Sequence, residues 1–274
     1  MATLSVRQIA RDCLGVTGSF SVNTHVYGYI FRQTDGSVFG GLASGDTLPG
    51  SGQPRTRSLK RHLETISGEA TDLVIILVGH EDDFSGAVSR DQVTKVQYAL
   101  QVTRDIYAQV GVGVRQIRWH RIPLADAGGY VDITNRDEAQ NLTEDFSGPS
   151  GGVDVFMVQS IGDAGGWSNV DGPCDKSSKF DLSGAVIELS SGRRFLGVLL
   201  GHEVGHYLGL VHFTSITNLM GVDSNGDGIG EIDNNSTGLT SGQGATMRSH
   251  CSTFTRPTPY YGSAADFAIA VDLI

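Results

Sequence analysis

The chain has 274 residues, of which 39% are hydrophobic and 18% are charged. It can therefore bury a sizeable core in one large domain or in a large domain with a small partner domain. The formal net charge of −10 argues against a nucleic-acid partner, because binding to a phosphate backbone requires clustered lysine and arginine. No apolar run is long enough for a transmembrane helix, and residues 1–10 lack the pattern of a secretory signal.

Residues 1–66 differ from the rest of the chain and are interpreted as an N-terminal segment, either a pro-segment or a small β unit. Strand-favouring residues between 20 and 39 are interrupted at Asp35-Gly36, which predicts a hairpin turn. Residues 40–57 are rich in Gly, Ser and Pro and are typical of a linker. The basic residues after them form either a solvated loop or, at Lys60 and Arg61, a processing site.

From residue 67 onwards the pattern predicts one α/β domain that extends to residue 274. Residues 73–78 are a continuous apolar run, as in a buried strand. Ser89 and Gln92 form a capping box that starts a helix ending at Gly111. The remaining elements are predicted as strands at 112–122, 154–161 and 185–189, a helix at 194–208, and a short helix that starts at the Thr240/Gln243 capping box and includes Met247.

The helix predicted at 194–208 leads into the pattern H-E-x-x-H-x-x-G-x-x-H. His202 and His206 are four residues apart, so both imidazoles lie on one helix face and can bind one ion. Glu203 can reach a water bound to that ion rather than the ion itself. Gly209 permits a left-handed turn that brings His212 round as a third ligand. Three neutral imidazoles with one open position are typical of a catalytic zinc site.

This stretch resembles the long zinc-binding motif of the metzincin metallopeptidases. Met220 lies eight residues beyond His212, where the resemblance implies a methionine-containing turn beneath the zinc. The resemblance covers about residues 71–255 and implies an α/β (α+β) fold, with a mixed five-stranded twisted sheet over the active-site helix. It also implies an N-terminal subdomain to about residue 209 and a small irregular C-terminal subdomain from about residue 210.

Two departures bear on the subfamily within the metzincins. Val222 stands where some families contribute a tyrosine ligand, and Phe213 stands where the matrixins have a serine. The Gly-Gly-Trp-Ser and Asn-Leu-Met elements are similar to those of the pappalysin-like families, and the matrixin-like families are the other option. The subfamily therefore stays open.

The resemblance implies a zinc-dependent endopeptidase acting on a protein or peptide substrate. Glu203 would act as general base toward a metal-activated water and then pass the proton to the departing amine. In the metzincins an edge strand pairs with an extended substrate, which is strand addition. The residues expected in that role are Gly165, Gly166, Trp167, Ser168 and Asn169, and the alternative is a glycine-rich surface loop. The enzyme is expected to be a monomer.

A second metal-binding pattern follows Met220. Residues 223–228 read D-x-N-x-D-G and resemble the start of an EF-hand calcium loop, although Asn234 stands where that loop has its glutamate. The alternative is an unoccupied polar turn. The calcium ligands predicted here are Asp223, Asn225, Asp227, Glu231 and Asp233.

The three cysteines leave one without a partner, and the sequence does not fix the pairing. Cys174 and Cys251 both fall within the predicted catalytic part, so a disulfide between them is favoured. Cys13 is then left over, and the resemblance suggests for it the role of a latency thiol that blocks the zinc. A buried or idle thiol is the alternative, since the residues around Cys13 differ from the matrixin consensus. We expect the protein to be secreted or extracellular.

Two rival functions remain. One is a catalytically silent, calcium-stabilised binding module on the same fold, and the other is a toxin-like or self-processing peptidase with a narrow substrate. Glu203 favours an enzyme, because a module without hydrolysis has no use for that carboxylate.

Overall fold

The computed structural model describes residues 26–32, 38–44, 69–81, 84–148, 152–162, 164–176 and 182–255. Cys13, the Asp35-Gly36 turn and the Lys60-Arg61 pair lie outside these ranges, so latency, the turn itself and processing stay predictions. Strands β1 (Val26–Arg32) and β2 (Val38–Ser44) pair antiparallel, as in a hairpin. Because β2 extends to residue 44, the linker predicted from residue 40 begins inside a strand.

The remaining elements alternate between strands and helices. The strands are β3 (Glu69–Val78), β4 (Gly113–Ile122), β5 (Asp132–Ile133), β6 (Val153–Val158), β7 (Ser160–Ile161), β8 (Gly166–Trp167), β9 (Ala185–Glu188) and β10 (Thr253–Thr255). The helices are α1 (Arg90–Tyr107), α2 (Leu124–Ala127), α3 (Arg136–Phe146), α4 (Arg193–Tyr207) and α5 (Ser241–Ser249). Both predicted capping boxes are present, at the starts of α1 and α5.

The main sheet contains the five strands β4-β3-β6-β9-β8 in that spatial order. The first four are parallel, and β8 runs antiparallel to β9 at the edge of the sheet. The mixed five-stranded sheet predicted from the sequence is therefore present. A sixth strand, β10, extends it by pairing antiparallel with the start of β3. Its three residues are too few to give a periodic signal.

Both faces of this sheet are buried. Leu73, Ile75 and Leu77 of β3 belong to one apolar cluster, which α1 and α4 also line. The alternate residues Val74, Ile76 and Val78 belong to a second cluster on the other face, which also contains residues of α3. Burial on both faces explains why β3 is a continuous apolar run rather than an alternating one. This second cluster is the outer apolar cluster.

Helices α1 and α4 pack at unusually close range. A Cβ built on Gly197 of α4 would lie 2.5 Å from the Cβ of Val102 in α1, so only glycine allows this approach. Thr103 and Tyr107 of α1 donate side-chain hydrogen bonds to the carbonyls of Gly197 and Gly201, at 3.0 and 2.7 Å. These contacts fix α4, and with it the histidine motif, beneath the sheet.

Helix α3 was not predicted from the sequence. Its only buried residues are Ala139, Leu142 and Thr143, and such a narrow apolar stripe gives a weak helical pattern. Within the described residues, no helix combines the length and apolar character needed to cross a bilayer.

Candidate metal centre

The three motif histidines converge on one point. The Nε2 atom of His206 lies 3.0 Å from that of His202 and 3.1 Å from that of His212. Ligand atoms arranged tetrahedrally around zinc at 2.0–2.1 Å lie about 3.3 Å from one another, so this spacing fits a common ion. Only an ion, or protons on some of the rings, can satisfy three nitrogen lone pairs directed at one another.

The end of α4 positions His206. The N–H of Gly209 donates to the carbonyl of His206 at 2.8 Å, and the N–H of Leu210 donates to that of Gly205 at 2.9 Å. These two bonds form a Schellman motif, and Gly209 has the positive φ of 93° that the motif requires. The carbonyl of Leu210 then accepts from Nδ1 of His206 at 2.7 Å. The predicted left-handed turn is present, and it also orients a ligand.

The turn that contains Met220 positions His202. Nδ1 of His202 lies 2.9 Å from the carbonyl oxygen of Leu219, the residue before Met220. A carbonyl can only accept, so Nδ1 carries the proton and Nε2 is left free to ligate. Met220 is fully buried, and its Sδ lies 3.0 Å from a Cβ built on Gly205. The methionine therefore packs directly against the helix between the first two histidines.

A second helix supports this turn, a feature the sequence did not reveal. The side-chain amides of Asn218 and Gln243 exchange two hydrogen bonds of 2.9 Å, and Oδ1 of Asn218 also accepts from the N–H of Met220 at 3.0 Å. Gln243 is the residue that closes the capping box of α5 with Thr240. One glutamine side chain therefore links the start of α5 to the Met220 turn.

Glu203 is buried beside the first histidine and faces the edge strand. A Cβ built on Gly166 of β8 would lie 2.7 Å from Cγ and 2.8 Å from Oε1 of Glu203, so the glycine backbone is in contact with the carboxylate. Gly166 pairs with Ile187, whose side chain faces α4, whereas its neighbour Trp167 packs on the outer apolar cluster. The alternation of β8 thus directs Gly166 toward Glu203.

Burial sets the ionisation of the site. It lowers the pKa of His202 to about 3, with a further lowering by His206, and it lowers the pKa of His206 to about 4. Both imidazoles are therefore neutral at ordinary pH, which is the form that binds metal. Burial also raises the pKa of Glu203 to about 8. That pKa would fall when a cation occupies the neighbouring site, because opposite charge favours the carboxylate.

Gly230 is a second site residue that sequence reasoning missed. A Cβ built on it would lie 2.7 Å from Cδ2 and Nε2 of His212 and 2.9 Å from Cε1 of His202. Its backbone therefore lies against the metal-facing edges of two ligands. Gly230 lies within the predicted calcium loop, and no local pattern indicates that its contact is with the histidines.

The acidic loop at 223–231 binds its own backbone. Asp223 accepts from the N–H groups of Gly226 and Gly228 at 2.7 and 3.1 Å, and Asp227 accepts from that of Ile229 at 2.8 Å. Among the described residues, two groups of three bring His, Cys or carboxylate ligand atoms close together. One is the histidine triad, and the other consists of Cys174, His250 and Cys251. The predicted calcium ligands therefore do not gather three carboxylates at one point. Calcium binding stays a prediction.

The segment after the edge strand is fastened to the end of α4. The N–H groups of Asp171 and Gly172 donate to the carbonyls of His206 and Tyr207, both at 2.9 Å. The carbonyl of His206 thereby gains a second donor beside Gly209, and that of Tyr207 gains a partner outside the helix. Tyr207 also donates its hydroxyl proton to the carbonyl of Pro173 at 2.7 Å.

Residues 250–252 hold the same segment from the other side. Cys174 and Cys251 form a disulfide with a Cα–Cα distance of 5.9 Å, the pairing favoured from the sequence. Nδ1 of His250 accepts from the N–H of Ser252 at 3.1 Å, so Nε2 carries the proton and donates to the carbonyl of Gly172 at 3.0 Å. His250 was another residue that the sequence did not point to.

The expected substrate strand lies at the edge of the sheet. Of residues 165–169, Gly166 and Trp167 form β8, and Gly165 contacts Leu199 of α4. Asn169 accepts a hydrogen bond of 2.7 Å from the guanidinium group of Arg136 in α3. Strand β8 pairs with β9 on one side. These positions place the predicted strand beside Glu203, and a role in binding substrate stays a prediction.

The likeness of this chain to known proteins is one of structure rather than of sequence. No protein-family model matches the sequence, and no curated protein matches it. Among solved structures, the chain is similar to archaemetzincin from Methanopyrus kandleri, with 12% identity and a TM-score of 0.42, over 65% of this chain and 94% of that chain.

Proposed function

We propose that this protein is a zinc-dependent endopeptidase. The observation that carries the proposal is the convergence of three Nε2 atoms, with Nδ1 of His202 and of His206 held by backbone carbonyls. That donor set suits zinc, which favours imidazole ligands in a tetrahedral arrangement, and three protein ligands are typical of catalytic rather than structural zinc. The resemblance of the motif and of the Met220 turn to the metzincins supports the same conclusion.

The residues of the chain divide the chemistry between them. His202, His206 and His212 would hold the ion, which supplies an activated water and polarises the substrate carbonyl when bound. Glu203, buried next to the first ligand, takes the proton as the water attacks and delivers it to the departing amine. The contact between Gly166 and Glu203 restricts the positions that the carboxylate can occupy.

An extended peptide is the substrate form that the site favours. Strand β8 is an edge strand, and its N–H and C=O groups on the side away from β9 can pair with an added strand. Pairing of this kind uses main-chain groups, so it gives affinity with little sequence preference. Such a peptide would run past Gly166 and thus past Glu203.

The test is hydrolysis of a mixed peptide library by the full chain and by Glu203→Gln. We expect the variant to bind zinc as the native chain does and to lose at least about a hundredfold in kcat, because it keeps the shape of the side chain and loses its proton transfer. Glu144→Gln in α3 is the matched control and should behave as the native chain. If Glu203→Gln kept most of its activity, the assignment of the base would be wrong.

The silent binding module is the other outcome of that test. A native chain that binds zinc tightly and cleaves no peptide in the library would favour the module over the peptidase. The buried Glu203 argues against it, because an ionisable side chain with no charge partner or catalytic role destabilises the fold when buried.

Two further features belong to the proposal. The disulfide favours an oxidising compartment, so we infer that the protein works outside the cytosol.

Calcium binding at residues 223–233 is predicted to raise the melting temperature, since a ligand that binds only the folded chain stabilises it. Melting curves with and without added calcium test this, and Asp223→Asn should remove any such rise.

A further inference from the structure

A hairpin follows the Met220 turn directly and reaches the metal centre. Val222 and Glu231 form an antiparallel bridge, with N–H···O distances of 3.4 and 2.8 Å in the two directions. A Cβ built on Gly221 would lie 2.3 Å from the carbonyl oxygen of Glu231, so the two arms are in close contact at the base. Residues 222–231 thus form a hairpin, the cleft hairpin.

The cleft hairpin is ordered by its own side chains. The carboxylate of Asp223 bridges the N–H groups of Gly226 and Gly228, and Ser224 donates to the carboxylate of Glu231. These bonds link the two arms and the tip, so the hairpin is expected to move as one unit rather than to unravel residue by residue.

The hairpin contacts both sides of the cleft. On the ligand side, Gly230 lies against the metal-facing edges of His212 and His202. On the sheet side, the neighbouring residue Ile229 packs against the outer apolar cluster, on which Trp167 of β8 also packs. Consecutive residues of the hairpin therefore contact the histidines on one side and, on the other, the cluster against which the edge strand also packs.

We infer that the cleft hairpin closes one end of the substrate cleft and restricts the enzyme to short peptides. This inference rests on the proposed function. A peptide added to β8 passes Glu203 and then meets the hairpin, so only a few residues fit on that side of the bond to be cleaved. Longer chains can enter only when Ile229 leaves the outer apolar cluster.

The experiment compares Ile229→Ala with Ile216→Ala, an exposed isoleucine in the same subdomain, on peptides of increasing length. We expect kcat/KM of the native chain and of Ile216→Ala to fall at least about tenfold between short and long peptides. Ile229→Ala should reduce that difference severalfold by freeing the hairpin, at similar activity toward the shortest peptide.

Release of zinc to a chelator provides a readout independent of hydrolysis. If the hairpin covers the ligands, Ile229→Ala should release zinc several times faster than the native chain and Ile216→Ala. Equal cleavage of short and long peptides by the native chain would overturn the inference and leave the proposed function intact. Cleavage of no peptide at all would overturn the proposed function. Equal release rates in the three chains would overturn coverage by the hairpin.

Discussion

At the scale of single residues, the position of the Glu203 carboxylate is restricted by its contact with Gly166. The carboxylate lies against the backbone of Gly166, at distances that leave no room for a side chain on the glycine. A general base must be held within a fraction of an ångström of the position it needs, because small displacements in an active site reduce rate strongly. The sequence predicts Glu203 as the general base, and the structure shows that Gly166 restricts the position of its carboxylate.

Gly166→Ala should therefore lower kcat without unfolding the protein. The added methyl group would lie 2.7 Å from Cγ of Glu203 and must displace it, and we expect a loss of about tenfold to a hundredfold in kcat. Gly192→Ala is the matched control, because a Cβ at that position meets no atom within 4 Å. Equal kcat values for the two variants would show that the contact does not position the base.

At the scale of elements, the end of α4 is joined to several other parts of the site. Its carbonyls are satisfied by the Schellman turn at Gly209 and by the N–H groups of Asp171 and Gly172. Segment 171–174 also follows β8 and is joined to residues 250–252 by the disulfide and by His250. The helix that carries His202 and His206 and the edge strand are thus held by the same short segment.

Removal of the disulfide should destabilise this arrangement. Cys174 and Cys251 are 77 residues apart in sequence, so the bond constrains a large loop of the unfolded chain. We expect the double variant Cys174→Ser/Cys251→Ser to lose about 2–4 kcal/mol of unfolding free energy in a denaturant titration. Native protein treated with a reductant should match the variant, and the variant itself should not respond to the reductant. A response of the variant would implicate Cys13 instead.

At the scale of the whole molecule, burial of ionisable groups links stability to pH. The folded chain keeps His202 and His206 neutral far below their ordinary pKa of 6.5, while the unfolded chain takes up protons there. Stability therefore falls as the pH drops below that value. The raised pKa of Glu203, about 8, acts in the opposite direction, because the folded chain holds a proton that the unfolded chain has lost above 4.5.

For the chelator-treated chain, the three groups together predict maximal stability at about pH 6.5. Between pH 4.5 and 6.5 the two histidines outweigh the glutamate by one proton, and below pH 4.5 the glutamate ceases to oppose them, so the acid decline should be the steeper one. Melting temperatures measured from pH 4 to pH 9 test this. In Glu203→Gln the alkaline decline should disappear up to about pH 8, and its persistence would mean that other groups cause it.

Sequence alone determined the parts of this protein that depend on local spacing. The positions of His202, His206 and Glu203 follow from the helical repeat, and Gly209 marks the turn that brings His212 back. The positions of the main strands and the two capping boxes were readable for the same reason, since periodicity and capping involve residues that are neighbours in the chain.

Tertiary structure alone decided which distant residues meet at the site. The approach of Gly166 to Glu203 and of Gly230 to His212 brings together segments separated by many residues. The same is true of His250, which holds the segment after the edge strand. A glycine has no side chain whose chemistry could indicate its role, so its importance depends on what packs against it. Those contacts arise only when the sheet, α4 and the cleft hairpin are assembled.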